Sequence, residues 1–433
     1  MVAGGGERGR GPRWAARCGV LALAASCAAA PACAQPAPVR GFREAVAAAW
    51  ARYPQRRDFA ARQGVAAARY AAGGALFPNA PYAAGTYVND KVLGSNYNYI
   101  TTQAELGTPV WLPGEGTATQ RAAQADTTAI AAEADAAHLA LAFQVLDLAA
   151  QAAVAANARD VAARRLAASQ ALSLDLARRF RVGESSESDA LAADAEAAGA
   201  RVTLSAAEAQ LASALAQLAV VTGLRAPPRL DAPRLDAPPL RLARAPAPGA
   251  AGPRADALAG HPRIVAAERL VAAAQARARL VRIENRDSPV IGVTGINEKQ
   301  FGSPWDTRFG VVFRLPFATQ ARNAPLRAAA EQAVAQAEVQ LDLARREVLA
   351  GLRQAEALLV AAERGRAAAE RAAGELDRRR GQIERAWRLG EMPLIEVVRA
   401  NALAFDADLA RDKARTELDA ARLRVSLAGG ALP

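Results

Sequence analysis

The stretch 179–194, RFRVGESSESDALAAD, has a counterpart at 385–401, RAWRLGEMPLIEVVRAN, and each interrupts a long alanine-rich helical pattern. Gly183 and Gly390 are 207 positions apart. The same offset relates three further pairs of residues: Gly85 and Gly292, Pro109 and Pro316, and Gly223 and Gly430. One offset held over so much sequence predicts a duplicated structural unit.

The composition favours long helices over a compact catalytic domain. Hydrophobic residues make up 52% of the 433 residues, but aromatic residues only 5%, because much of the apolar content is alanine. Alanine is the best helix former, and its small side chain lets helices approach closely. A chain of this length exceeds one ordinary hydrophobic core, so two units or one elongated object are expected.

Residues 1–34 have the pattern of an export signal peptide. Four arginines precede the apolar run 18–30, and small residues at 32–34 permit cleavage before Gln35. The alternative is a lipoprotein signal in which Cys27 is acylated. All three cysteines lie in this segment, so cleavage after Ala34 leaves a mature chain without thiols and excludes disulfides and cysteine catalysis.

The basic charge does not indicate nucleic-acid binding. The net charge of +11 falls to +8 when the four arginines and one glutamate of the signal are removed. Arginine alternates with acidic residues along the helical patterns, which is typical of solvated helix faces. After residue 35 there is no run of 18 consecutive apolar residues of the kind that forms a membrane-spanning helix.

Two repeats and a linker follow the signal. We predict a first repeat at 35–224, a linker rich in proline and alanine at 225–253, and a second repeat at 254–433. Each repeat has a helix, two strand-like runs, a very long helix and a shorter return helix. The predicted helices cover 42–76, 115–180 and 186–221 in the first repeat, and 255–285, 324–387 and a segment from 394 in the second.

The strand-like runs alternate with a period of two. In the second repeat Phe309, Val311 and Phe313 share one face, while Arg308 and Arg314 share the other. The equivalent polar positions in the first repeat are Gln103 and Glu105. Runs of this length suit tilted membrane strands. Tyrosines and Trp111 near the first hairpin fit an interfacial belt, although ordinary strands also favour tyrosine.

Helix lengths predict a tall object. The pattern 115–180 spans roughly 97 Å, and the shorter helices 186–221 and 255–285 together match it in length. We therefore expect these two helices to form one column, and the opening helix to complete the column of the last helix. Four strands cannot close a barrel, and open strand edges cannot face lipid. Three chains sharing their strands would supply about twelve, enough for a lumen.

These features resemble the TolC-like outer-membrane efflux family, with similarities to its heavy-metal (cobalt-zinc-cadmium) subgroup. The resemblance rests on the export signal, the duplicated plan, FRVGESSESDAL with WRLGEMPLIEVV, and the junctions LGTPVWLPGEGTATQR and FRLPFATQARNAPLRAA. It implies a mainly α fold with a small β part. In that fold, duplicated helix–β-hairpin–helix units form a trimeric outer-membrane β-barrel, four strands per chain, joined to a long α-helical periplasmic barrel.

The resemblance also implies sites and partners. The repeated glycine motif would lie at the periplasmic tips, where an adaptor docks and connects to an inner-membrane pump, expected to be proton-driven. The docking residues would be Arg181, Val182, Gly183, Glu184, Arg388, Leu389, Gly390 and Glu391. A gate would involve Glu396, Arg399 and Asp189, with Glu396 and Arg399 either paired between chains or solvated. Gln103, Glu105, Arg308 and Arg314 would face the barrel lumen.

The expected function is that of a passive conduit with no cofactor. His138 and His261 are the two histidines, they lie far apart in sequence, and we expect no dedicated metal site. Heavy-metal cations are the expected cargo, with drugs or secreted proteins as alternatives. A periplasmic adaptor or structural coiled coil is a further alternative. Nucleotide motifs and the usual nucleophile–base sets are missing from the sequence, which argues against an enzyme.

Overall fold

A computed structural model describes residues 41–91, 93–94, 97–230 and 258–433. The predicted signal peptide and most of the predicted linker lie outside the described residues. The first half contains α1 (Phe42–Arg52), α2 (Gln55–Gly73), β1 (Tyr82–Asn89), β2 (Ile100–Pro109), α3 (Glu115–Arg181) and α4 (Glu187–Thr222). The second half contains α5 (Pro262–Ile283), β3 (Val290–Lys299), β4 (Asp306–Arg314), α6 (Gln320–Arg388) and α7 (Leu394–Ala428).

The two predicted hairpins form one antiparallel sheet in the order β1-β2-β3-β4. The central pairing joins the halves of the chain, with Leu106 opposite Val293 and Gly107 opposite Gly292. The close approach at Gly292 requires glycine, because a Cβ there would lie 2.7 Å from the Leu106 carbonyl oxygen. In the described chain β1 and β4 each have only one strand partner, so both edges of the sheet remain unpaired.

Two very long helices run the length of the molecule. α3 has 67 residues and α6 has 69, which corresponds to roughly 100 Å each. The predicted long helices are thereby confirmed. The α3 interface is alanine-rich: Ala142, Ala149 and Ala152 are fully buried, beside Val145 and Leu146. Small residues at these positions let the neighbouring helices lie close to α3.

The helices are arranged as a layer. α3 packs against α2, α4, α5 and α7, and α6 packs against α5 and α7. The largest core cluster lies where α1 meets the middle of α3 and the end of α7, and includes Val46, Val145, Leu146, Leu423 and Leu427. α4 and α6 therefore form the two opposite edges of the layer.

The predicted stacking of the shorter helices was wrong. α5 continues the column of α7, not that of α4: Gly430, just after α7, lies against His261 and Pro262 at the start of α5. The end of α4 instead meets α1, where Gly223 lies against Arg52. α4 and α7 contain 36 and 35 residues, so length could not decide which of them α5 continues.

The opening helix, predicted as one piece over 42–76, is interrupted. α1 ends at Arg52, and Tyr53 adopts an extended conformation with ψ 117° before Pro54. Proline disfavours helical geometry in the residue that precedes it, because its ring crowds that residue. α2 then restarts with Pro54 as its N-cap. The first helix of the second half also begins later than predicted, at Pro262.

Candidate functional site: hairpin tips and strand faces

The first hairpin tip is a tight helix termination. α3 ends at Arg181, and Gly183 adopts a left-handed φ of 81°. The Gly183 N–H donates to the Phe180 carbonyl at 3.0 Å, and the Glu184 N–H donates to the Arg179 carbonyl at 2.8 Å. These two bonds define a Schellman motif. Glycine is favoured here because a side chain at positive φ is strained.

The second tip repeats this geometry. Gly390 has φ 81°, its N–H donates to the Trp387 carbonyl at 2.9 Å, and the Glu391 N–H donates to the Ala386 carbonyl at 2.9 Å. The two sequence motifs therefore build the same turn twice. The sequence motif had indicated these turns because a glycine ended each helical pattern at the same point.

All eight residues predicted for adaptor docking are exposed. The apolar members are the most informative, since Val182 is 71% and Leu389 is 75% exposed. Each stands between an arginine and the turn glycine, with a glutamate following. The tips thus present two similar surfaces, each with a short apolar knob flanked by charges of both signs.

The two tips pack against each other beneath these turns. Leu176 of α3, Ala193 of α4 and Leu394 of α7 form a buried cluster with the partly buried Trp387. The Arg179 guanidinium lies over the Trp387 ring, 4.7 Å from its centroid. Trp387 is therefore a packing anchor. Phe180, at the equivalent position of the first tip, is 43% exposed.

The predicted gate residues are held by contacts within the chain. Glu396 Oε1 accepts a hydrogen bond from Arg399 at 2.7 Å, three residues further along α7. In the other hairpin Asp189 accepts a bond from the Ser186 hydroxyl at 2.8 Å, and its own N–H donates back to Ser186 at 3.0 Å. Asp189 thus belongs to the N-terminal cap of α4.

One face of the sheet is apolar and exposed. Across the four strands it carries Tyr87, Ala104, Leu106, Ile291, Val293, Phe309, Val311 and Phe313. Phe309 is 88% exposed and Phe313 is 73% exposed. An uninterrupted exposed apolar surface of this kind marks an interaction with lipid or protein.

The opposite face is polar. Gln103, Glu105, Arg308 and Arg314 lie together on it, as their alternation predicted. Gln103 donates to the Thr294 hydroxyl at 3.2 Å, and Glu105 accepts from the Tyr82 hydroxyl at 2.6 Å. The sheet therefore separates a polar surface from an apolar one across the thickness of a single layer.

The acidic partners on this polar face were not predicted. Arg308 pairs with Glu298 on the adjacent strand and with Asp306 at 3.1 Å on its own strand. The sequence alternation could have placed them on this face, because Glu298 and Asp306 continue the polar positions of β3 and β4 on either side of the turn. The register that brings them together was not visible in the sequence.

No cluster of three or more histidine, cysteine or acidic side chains that could hold a metal ion occurs within the described residues. A groove of about 950 Å³ lies over α7 between α3 and α6. Two helices, α3 and α4, contain 18-residue windows apolar enough to cross a membrane by length and composition alone. That is a weak indication, since core helices of soluble proteins pass the same test.

Comparisons with known proteins agree on the fold. No protein-family model matches the chain, and no curated protein matches it by sequence. Among solved structures, the CmeC outer membrane channel of Campylobacter jejuni is 15% identical, with a TM-score of 0.68 over 90% of this chain and 85% of CmeC. The outer membrane protein VceC of Vibrio cholerae is 16% identical, with a TM-score of 0.65 over 90% of this chain and 97% of VceC.

A third structure is the open state of the MtrE outer membrane channel of Neisseria gonorrhoeae. It is 18% identical, with a TM-score of 0.66 over 90% of this chain and 89% of MtrE. The match extends over nearly the whole of each molecule, and so includes the helices and the sheet together. The chain has the fold of these outer membrane channels: long helices with a small four-stranded sheet.

Proposed function

We propose that this chain is a TolC-like outer-membrane channel subunit of a tripartite efflux system, and that it is a passive conduit and not an enzyme. One observation carries the proposal: the sheet has an exposed apolar face and a polar reverse, and it lies at the opposite end of α3 and α6 from the glycine tips. Similarity to channels such as CmeC and VceC supports it.

The channel is proposed to be a homotrimer. β1 and β4 have unpaired edges within the chain, and backbone groups at such edges are costly in lipid. Three sheets joined edge to edge would satisfy them and give about twelve strands. The apolar face would then contact outer-membrane lipid. Gln103, Glu105, Arg308 and Arg314 would line the lumen, since a lipid-facing arginine is unfavourable.

The tips are proposed to meet a periplasmic adaptor, which links the conduit to an inner-membrane pump that supplies the energy. Val182 and Leu389, exposed beside the turn glycines, support this role. Glu396, Arg399 and Asp189 would lie at the constriction formed by the tips. The ion pair between Glu396 and Arg399 joins successive turns of α7 and fixes the position of the Glu396 carboxylate beside the tip.

The proposed cargo is heavy-metal cations, on the sequence resemblance to that subgroup. Drugs and secreted proteins are the alternative cargoes, because a shared fold does not determine what is transported. The proposed signal peptide, residues 1–34, and the two repeats at 35–224 and 254–433 complete this description. In such a wide conduit the cargo need not bind to any side chain of the wall.

The test is reconstitution of the full-length protein in a planar lipid bilayer, with fractionation of cells that express it. We expect an outer-membrane protein that needs detergent for extraction and gives discrete conductance steps. Glu396→Ala should raise the mean conductance or the open fraction, with Glu347→Ala, far from the tips, as the matched control. A water-soluble monomer without channel activity would contradict the proposal.

A further inference from the structure

Two rows of charged side chains run along the opposite edges of the helical layer. The α4 row consists of residues seven apart, all exposed: Glu187, Asp194, Arg201 and Glu208. The α6 row consists of residues seven apart, also all exposed: Arg364, Arg371, Arg378 and Arg385. Spacing of seven places each row along one side of its helix. Three of four charges in the first row are negative, and all four in the second are positive.

The rows have no ion-pair partners among the described residues. Other arginines on α6 do find acids on the same helix, such as Arg366 with Glu370 at 2.9 Å. In contrast, Arg371 and Arg378 donate only to the carbonyls of Ala367 and Gly374 on their own helix. The charges of each row can therefore form ion pairs with a partner outside the chain.

An apolar stripe accompanies the α4 row. Leu191, Val202 and Val220 are 63%, 71% and 82% exposed, although they lie on a helix whose opposite side is buried against α3. Between them lie small residues, chiefly alanine, at alternating spacings of three and four. That spacing is typical of helices that pack side by side. The exposed side of α4 therefore has the pattern of a surface that packs against a second helix.

The two rows match in height. Glu187, Asp194, Arg201 and Glu208 follow Gly183 by 4, 11, 18 and 25 positions, while Arg385, Arg378, Arg371 and Arg364 precede Gly390 by 5, 12, 19 and 26. The two tips lie level, because Arg179 contacts Trp387 across them at 4.7 Å. At about 1.5 Å per residue, facing members of the rows then differ in height by about one residue.

We infer that these edges form the seam between copies of this chain, with α4 of one copy packed antiparallel against α6 of the next. In a closed ring all copies keep the same height. Glu187 would then face Arg385, Asp194 would face Arg378, and Glu208 would face Arg364. Arg201 opposite Arg371 is the one like-charge pair. This inference rests on the homotrimer proposed above and specifies its register.

Cross-linking tests the register directly. The variant with Asp194→Cys and Arg378→Cys should give covalent multimers when the detergent-solubilised oligomer is treated with a short bismaleimide. The mismatched variant with Asp194→Cys and Arg364→Cys, displaced by roughly 21 Å along the helices, should not. Both single-cysteine variants are controls. Light scattering on each sample establishes the oligomeric state independently.

The outcomes separate this inference from the proposed function. An intact oligomer that conducts ions but fails to cross-link through the matched pair, or links equally through the mismatched pair, overturns the seam and leaves the channel standing. A monomer in every detergent overturns both. Cross-linked trimers from the matched pair alone support the seam.

Charge variants provide a second readout that misfolding cannot imitate. Arg201→Glu removes the like-charge pair and should slow the dissociation of the oligomer in sodium dodecyl sulfate, with Arg201→Ala intermediate. Arg378→Glu should accelerate dissociation, and adding Asp194→Arg should restore it. Exposed ion pairs of this kind change equilibria by up to about fivefold per contact. Faster dissociation by Arg201→Glu, or no restoration by the double variant, contradicts the assigned register.

Discussion

His261 shows how a single side chain joins two helices at the middle of the molecule. Its ring is 4% exposed, and Nδ1 accepts a hydrogen bond from the Arg263 N–H at 3.2 Å, which caps α5. Gly430 lies against it at the end of α7. Burial, and then the positive charge of Arg263, lower the pKa of His261 to about 4. The folded state therefore favours the neutral imidazole.

Acid should weaken this junction. Because the folded-state pKa lies below the ordinary value of 6.5, the stability contributed by neutral His261 is present above pH 6.5 and is lost as the pH falls towards 4. His261→Asn retains an N-capping side chain but does not titrate. We expect the wild-type Tm to fall more steeply than that of the variant between pH 7 and 4.5, measured by tryptophan fluorescence.

The comparison is matched, because His138 is present in both proteins. Burial also lowers the pKa of His138, so its contribution to acid sensitivity cancels in the difference. Parallel Tm curves for wild type and His261→Asn would show that the cap does not couple to pH.

The tip glycines indicate which residue-scale features a sequence can predict. Gly183 and Gly390 both have φ 81°, and a Cβ at either would meet no atom within 4 Å. The requirement for glycine is thus purely a matter of backbone conformation, which local sequence determines. In contrast, the pairing of Arg308 with Glu298 depends on the register of the β3–β4 hairpin, which the geometry of its turn determines.

At the scale of elements, neighbouring residues of each strand lie on opposite faces of the sheet, one apolar and one polar. Val293 lies on the apolar face between Leu106 and Val311, whereas Thr294 lies on the polar face between Glu105 and Gly310. A positive charge should therefore have very different consequences at these two positions. The same substitution at both provides a comparison in which size and charge are held constant.

We expect Val293→Arg to reduce the assembled protein in the outer membrane sharply. An arginine facing lipid near the bilayer centre costs about 2–4 kcal/mol, and each oligomer would carry one per chain. Thr294→Arg, on the polar face opposite Glu105, should assemble close to normally. The measurement is the amount of detergent-extracted oligomer relative to total protein. Equal losses for both variants would show that the apolar face does not contact lipid.

The helices show why some element-scale predictions succeeded and others did not. Alanine-rich periodicity was sufficient to predict α3 and α6, because long uninterrupted patterns are strong local signals. The break before Pro54 was readable from proline alone and was missed. The stacking of α5 on α7 was not readable, since two arrangements of nearly equal length were available and tertiary packing chose between them.

At the scale of the whole molecule, the two ends of the proposed conduit, the sheet and the tips, have different proposed roles. The sheet exposes an apolar face, proposed to contact lipid, and the tips expose small apolar side chains among charges, proposed to meet a protein partner. The helices between them carry small residues at their interfaces, which lets neighbouring helices shift without large changes in buried volume. Opening at the tips, as proposed, would involve relative movement of α6 and α7, whereas the Glu396–Arg399 pair lies entirely within α7.

Cargo is a property of the assembled system, so its test must use whole cells. Deleting the gene should reduce tolerance of zinc, cobalt, cadmium or copper, while drug susceptibility and protein secretion remain normal. Complementation with the intact chain should restore tolerance, and complementation with Val293→Arg should not, because that variant is expected to assemble poorly. Thr294→Arg is the matched complementing control. Normal tolerance of all four metals, together with increased drug susceptibility, would assign the conduit to drug efflux instead.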